Sequence, residues 1–404
     1  MGLPPLAIAL LGILLWGDYT LAAKAPASAP SKPLVNSIER LTLTYLRRSS
    51  SVPSGHPLAT IQAESSGPDG ASLGIEDDNT TGQFTHQAFD LDVFEAESDE
   101  ALTERFKSLL SEGRRIFLLD GPAELVRTLS HLDDQGSAIL LDVANGEDRL
   151  RGVDCASNLF LVMPSDAMRA DALSQYLGKK RWTRIFLAAG SDPIDQRVAD
   201  GVRRSAKKFG IKIVTEKTWN YQFEDRRTPE SEVPVFTQGG DYDLLVVTDG
   251  QRVFADLLAY RTWLPRPIMG SAGLSVMTWH PAHEAWGALQ LQSRFRTKFG
   301  RAMAEKDYAA WLATRIVAEA GTRAHHLDAK AIRQEITSPA FAIAGFKGVP
   351  LSFRSWDRQL RQPILLADER SIVAVAPIEG YLHPVNTLDT LGQDQPESSC
   401  GKAH

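Results

Sequence analysis

Cysteine is almost absent from this chain: Cys155 and Cys400 are the only two in 404 residues. That leaves no C-x-x-C redox pair, no four-cysteine zinc framework and no disulfide scaffold of the small secreted kind. Also missing are a GxSxG elbow, a GxxxxGK[ST] phosphate loop, a GxGxxG after a strand and an HExxH helix, so no familiar hydrolase, nucleotide or zinc-protease chemistry is nominated. Basic charge is not in excess. The 44 Lys and Arg residues stand against 50 Asp and Glu, and with no basic arm or stripe, nucleic acid is not an expected partner. Long apolar runs are confined to residues 6–16, a stretch too short to span a bilayer and followed by small residues at 21–23. Residues 1–23 therefore read as a cleavable signal peptide, with a buried N-terminal helix as the alternative. The Ala, Pro, Ser and Lys composition of 24–37 reads as a flexible leader. In an exported chain, Cys155 and Cys400 can form one bridge or remain two thiols.

What the chain does have is a repeated strand–helix rhythm. Residues 182–214 are the clearest case. The apolar run Ile185, Phe186 and Leu187 is broken by Gly190-Ser191-Asp192-Pro193, and Ile194, Val198, Val202 and Ala206 then recur at helical spacing before Gly210 and a second strand at 211–214. Strands joined through a helix lie parallel with a right-handed crossover. A first series alternates strands at 41–45, 88–94, 116–119 and 138–143 with helices at 70–79, 101–111 and 123–132. A second begins with a strand at 159–163, continues through a helix at 167–177 and the 182–214 unit, and ends with a strand at 244–248, a helix at 252–260 and a strand at 267–270. Helices at 289–299, 308–324 and 329–336 and strands at 351–354, 363–367 and 372–376 close the chain. The expected fold class is α/β with two lobes, each a wound parallel sheet flanked by helices and connected by a hinge. Residues 38–157 plus 276–340 are assigned to lobe 1, 158–275 plus 341–383 to lobe 2, and 384–404 to a polar C-terminal tail.

In wound α/β sheets ligands collect beyond the carboxyl ends of the strands. Here those ends carry acids: Glu95 and Glu97, Asp120 and Asp142, then Asp192 and Asp249. Converging carboxylates suit a hard cation, which takes six or more oxygen ligands. Each acid before a helix is equally a favoured N-cap, a reading that fits Asp120 and Asp192 best and Glu97 and Asp142 least. His280-Pro281-Ala282-His283 has the order and spacing of a packing segment rather than of a zinc site. In 74–82, GIEDDNTTG, the acids Asp77 and Asp78 at an expected helix end oppose the helix dipole, and Asn79-Thr80-Thr81 is formally a glycosylation sequon.

Several segments, in this order and spacing, carry a resemblance: Leu118-Leu119-Asp120-Gly121-Pro122, Met163-Pro164-Ser165-Asp166, the 182–214 unit, Asp307-Tyr308-Ala309-Ala310-Trp311 and 344–353. Together they resemble the type I periplasmic solute-binding proteins of the leucine/isoleucine/valine-binding branch, over nearly all of the chain after its leader. Residues 74–82, 260–267 (YRTWLPRP) and 361–365 further resemble a subgroup associated with pyrroloquinoline-quinone alcohol dehydrogenase systems. The resemblance implies a monomeric, non-enzymatic periplasmic binding component of an ABC importer that works with its membrane subunits. For the subgroup it implies a lanthanide or other hard cation, or its small-molecule complex, as solute, with a periplasmic dehydrogenase as a further partner. A sensor or accessory protein without transport is the alternative. The first loop, 46–51, departs from the Pro-Leu-Thr-Gly-like turn of amino-acid binders, which argues against an amino acid as solute. Arg47, Ser49, Glu97, Asp120, Asp142, Ser191, Asp192, Asp249 and Ser271 are the candidate cleft residues, and Glu97, Asp142 and Asp249 the candidate metal ligands.

Overall fold

The computed structural model describes residues 38–49, 56, 58, 66–133, 136–220 and 228–401. The expected signal peptide and leader, the last two serines of the 46–51 loop and residues 402–404 lie outside the described residues. Five parallel strands, β1 (Glu39–Arg48), β2 (Gln87–Ala96), β3 (Ile116–Asp120), β4 (Ile139–Asp142) and β5 (Leu159–Leu161), form the first sheet in the order β2-β1-β3-β4-β5. Residues alternate across it. Leu43, Tyr45, Ile116 and Leu118 face one core, while Leu46, Phe117 and Leu119 face the other. The second face is closed by α2 (Asp99–Ser111) and α3 (Ala123–Leu132). The first is closed by α1 (Pro68–Thr85) and, later in the chain, α7 (Ala288–Phe299), α8 (Glu305–Ala324) and α9 (Ala329–Ile336).

The second lobe is built from α4 (Asp166–Lys180), β6 (Arg184–Ala189), α5 (Pro193–Lys208), β7 (Lys212–Thr218), α6 (Pro229–Phe236), β8 (Leu244–Thr248) and β9 (Ile268–Gly270). Its parallel sheet runs β7-β6-β8-β9. The 182–214 unit has the expected form, with Pro193 at the start of α5 and the Asp192 carboxylate accepting from the Ile194 amide at 2.8 Å. A small antiparallel sheet of β10 (Ser275–Met277), β14 (Ile364–Ala367) and β15 (Ile372–Ala376) packs on the α4 side. β11 (Ile343–Ala344), β12 (Pro350–Phe353) and β13 (Leu360–Arg361) form a second.

Three placements differ from the sequence reading. β5 pairs with β4, Leu140 opposite Leu159, so 159–163 completes the first sheet instead of opening the second series. A three-residue buried strand has too little pattern to reveal its neighbour. Leu351 and Leu360 belong to the first lobe's core, so only the part of 341–383 beyond β13 packs with lobe 2. The helix expected at 252–260 shrinks to a single turn at Ala255–Leu257. Arg252 and Tyr260 adopt left-handed backbone, and Phe254 is drawn inward to stack on Trp219 at 5.1 Å.

The unfavourable acids of 74–82 are resolved by tertiary partners. α1 continues to Thr85, and Asp77 accepts from Arg294 and from the Trp311 indole at 2.9 Å, while Asp78 accepts from Arg315. Both ends of the Asn79 amide are taken by the Phe89 backbone at 2.8 Å, so the sequon lies in a helix with its side chain engaged. Trp279 stacks on Tyr308 at 4.3 Å, and His283 hydrogen-bonds the Phe346 carbonyl through Nε2 at 2.8 Å, so the 280–283 segment packs as expected.

The chain crosses between the lobes near residues 163–165, 277–279 and 362–363, and buried side chains lace the crossings together. Gln362 donates to the Val162 carbonyl at 2.7 Å, and Lys347 donates to the Gln362 Oε1 at 3.0 Å and the Pro363 carbonyl at 2.9 Å. Arg169 of α4 donates to the Val276 carbonyl at 2.7 Å and pairs with Glu305 of α8 at 2.9 Å, and Glu305 also accepts from the Thr278 amide and hydroxyl. Burial holds the Lys347 ammonium well below its ordinary pKa, since desolvation penalises its charged form.

Candidate functional site

Ligands of open α/β sheets bind where the strand order reverses, because there the two flanking loops part and leave a crevice. In the first sheet that point lies between β1 and β3. Arg47 stands opposite Asp120 in register, with Nε and Oδ2 3.7 Å apart. Asp120 also accepts from the Tyr45 hydroxyl at 2.9 Å and pairs with Lys306 of α8 at 2.9 Å. Ser49, just past β1, donates to Glu95 at 2.9 Å, and Arg48 to Asp99 at 3.0 Å. This edge therefore presents two cations, Arg47 and Lys306, fixed by one buried carboxylate.

In the second sheet the reversal lies between β6 and β8. There Asp195, in the first turn of α5, accepts from the Gly250 amide at 2.8 Å, and its other oxygen lies so close to Gly190 that a β-carbon there would sit 2.2 Å from it. Gln196 donates to the Gly190 carbonyl at 2.7 Å. Ser191 is exposed at the same turn, beside the capping Asp192. Burial raises the Asp195 pKa to about 7, with the Gly250 amide opposing and the charges of Asp249 and Asp192 adding to the rise.

Because that folded value lies above the ordinary carboxylate range near 4, Asp195 stabilises the protein fully below about pH 4, and the contribution is lost as pH rises toward 7. Asp195→Asn keeps an acceptor for Gly250 and removes the charge. Its Tm should match the parent at pH 4 and exceed it by ~2–4 °C at pH 8.5, as thermal unfolding at the two pH values would show.

The expected candidates are sorted by these contacts. Arg47, Ser49 and Asp120 come together on lobe 1, and Ser191 and Asp192 share a turn on lobe 2. Asp142 is sealed at the end of β4, where one oxygen accepts from the Ala144 and Asn145 amides at 3.1 and 3.2 Å, and burial lifts its pKa to about 6. Asp249 accepts from the amides of Val253, Phe254 and Ala255 at 3.0, 2.7 and 2.8 Å, and Ser271 accepts from the Asp249 amide at 2.7 Å. Glu97 is exposed in the β2–α2 turn, where Ser98 caps the helix and Glu95, not Glu97, joins the Arg47 cluster. Glu97, Asp142 and Asp249 are not gathered, and among the described residues no group of three or more His, Cys, Asp or Glu side chains could hold a metal ion. Backbone amides have taken both oxygens of Asp249 and one of Asp142, whose other oxygen is buried without a hydrogen-bond partner among the described residues, so no set of oxygens converges for a cation.

Sequence reasoning missed Asp195, Lys306 and Tyr45, and placed Glu95 at a strand end without choosing it for the site. The first reads as an ordinary first-turn acid, and Lys306 arrives from a helix far along the chain. The only signal for Tyr45 was its place near the carboxyl end of its strand.

No protein-family profile matches the chain, and no curated protein matches it in sequence. Solved structures do match it in fold. One is a branched-chain amino acid ABC transporter periplasmic ligand-binding protein from Burkholderia xenovorans, with TM-score 0.70 and 14% identity over 89% of this chain and 99% of that one. A solute-binding protein of an ABC transporter from R. palustris in complex with benzoate gives TM-score 0.64 and 12% identity over 90% and 99%. A substrate-binding protein from Desulfitobacterium hafniense in complex with Leu gives 0.63 and 16% over 83% and 99%. The architecture is thus the two-lobed type I periplasmic-binding-protein fold.

Proposed function

We propose that the protein is the exported solute-binding component of an ABC importer. It would hold a small polar organic solute between the Arg47–Lys306 edge of lobe 1 and the Asp195–Gln196 edge of lobe 2. The observation that carries this reading is the coincidence of a polar cluster with the strand-order reversal in both sheets, on lobes joined by three crossings. A solute touching both edges favours the closed arrangement by its differential affinity for it. Periplasmic location rests on the N-terminal residues, and delivery to membrane subunits on the resemblance of the chain to importer proteins. The Arg47 and Lys306 cations favour a solute carrying an anionic group on the lobe 1 side, and the Asp195 carboxyl, whose pKa burial raises to about 7, favours a hydrogen-bond donor on the lobe 2 side. The narrower reading, a lanthanide or other hard cation in a pyrroloquinoline-quinone alcohol dehydrogenase system, has the 260–267 and 361–365 motifs in its favour and no gathered ligand set.

Titration with a panel of small carboxylic acids and amino compounds, with calcium and lanthanum as separate arms, tests both readings. Tryptophan emission, to which Trp219 after β7 at the lobe 2 edge contributes, is the readout. The expected result is saturable binding of an organic solute that Asp195→Asn weakens about tenfold or more, the cost of one charge-assisted hydrogen bond. A response to micromolar lanthanum that Asp142→Asn abolishes would replace this reading with the cation one.

A further inference from the structure

The polar tail after β15 does not trail into solvent. On the lobe 2 side, Leu391 is buried in the core with Met168 and Leu173, the Gly392 amide donates to Asp171 at 2.9 Å, and Lys208 donates to the Gly392 carbonyl at 3.1 Å. On the lobe 1 side, the Arg354 turn between β12 and β13 donates to Asp389 at 3.0 Å and to the Leu391 and Gln393 carbonyls at 2.6 and 3.2 Å. Arg361 forks onto both oxygens of Asp389 at 2.7 and 3.0 Å. Further along, Cys400 is joined to Cys155 by a disulfide. Cys155 lies in a lobe 1 loop anchored by Leu150 and by the partly buried Ala156.

The three crossings are backbone segments that a hinge can bend. The tail is a fourth link of another kind. It is rooted in lobe 2 at Leu391 and Gly392 and covalently fastened to lobe 1 at Cys155, with Arg354 and Arg361 gripping its middle. We propose that residues 387–401 form a brace across the hinge that limits how far the lobes open, with the Cys155–Cys400 bond as its fastening. By keeping the unliganded lobes near the spacing a solute needs, the brace reduces the fraction of molecules too open to bind. Freeing it should raise the apparent Kd about three- to tenfold.

The proposal rests on the reading of the lobes as hinged, so the decisive experiment measures the hinge without solute. Spin labels attached through non-thiol side chains at positions 100 and 194, in the first turns of α2 and α5, report the distance across the cleft by pulsed electron resonance. Compared with the parent, Cys155→Ser with Cys400→Ser should broaden the distribution and move it to longer distances. Asp389→Asn with the disulfide intact should do so to a smaller degree, and it serves if the serine pair fails to fold. A distribution that is broad in the parent and unchanged by every substitution overturns the brace while leaving the hinge. One that is narrow and identical throughout overturns both.

Discussion

Glu305→Ala should cost about 3–5 kcal/mol of folding stability, the range for removing one partner of a buried ion pair. The substitution would strand the Arg169 guanidinium, 1% exposed as a side chain, between the lobes with only the Val276 carbonyl at hydrogen-bonding distance on its Nη1. It would also leave the Thr278 amide and hydroxyl of the second crossing without their acceptor. The pair itself is imperfect, since the Arg169 Nε and Glu305 Oε2 have no hydrogen-bond partner among the described residues. Replacing both residues by apolar ones of similar volume, Arg169→Met with Glu305→Leu, should therefore recover most of the loss. Urea unfolding of the two variants measures this. A single substitution costing under about 1 kcal/mol, the range of an exposed pair, would show that this contact does not hold the crossing.

The second large effect is expected where α1 crosses α8. A β-carbon on Gly70 would lie 1.9 Å from the Asp307 carbonyl oxygen, and one on Gly74 would lie 1.9 Å from the Thr314 hydroxyl oxygen. The first obstacle is backbone and the second is a side chain that can turn. Gly70→Ala should therefore force the helices apart and cost ~3 kcal/mol or more, at the upper end of overpacking. The same separation would strain the hydrogen bond from the Gly67 amide to Asp307, 2.8 Å long, and the Arg301 fork onto Asp307. Gly74→Ala should cost less, since the gain in helix propensity of about 1 kcal/mol offsets part of the clash. Equal denaturation midpoints for the two variants would contradict this account.

Local signals made much of the architecture legible. The bounds expected for α3, α9 and β8 match the structure, and Asp192-Pro193 opens α5 as a cap and first-turn proline should. Such signals work because capping, helical periodicity and buried apolar runs are properties of a few consecutive residues. The site was less legible because its meaning depends on distant partners. Asp120 reads as a cap from its neighbours Gly121 and Pro122, yet its carboxylate is engaged by Tyr45, Arg47 and Lys306. Asp142 and Asp249 read as acids at strand ends, but the loops after them fold back so that their own amides occupy both oxygens of Asp249 and one of Asp142. The tail reads only as a polar stretch with one possible bridge to Cys155. It is held by Arg354, Arg361 and Cys155, whose proximity only the tertiary fold creates.

The central claim is that the two polar edges hold a solute between them, and native mass spectrometry of the protein purified from its own cells tests it most directly. The account predicts a one-to-one, non-covalent adduct of small organic mass that is lost on unfolding and depleted in Asp195→Asn prepared in the same way. A spectrum showing only the bare polypeptide, or an adduct of metal mass unaffected by Asp195→Asn, would contradict it.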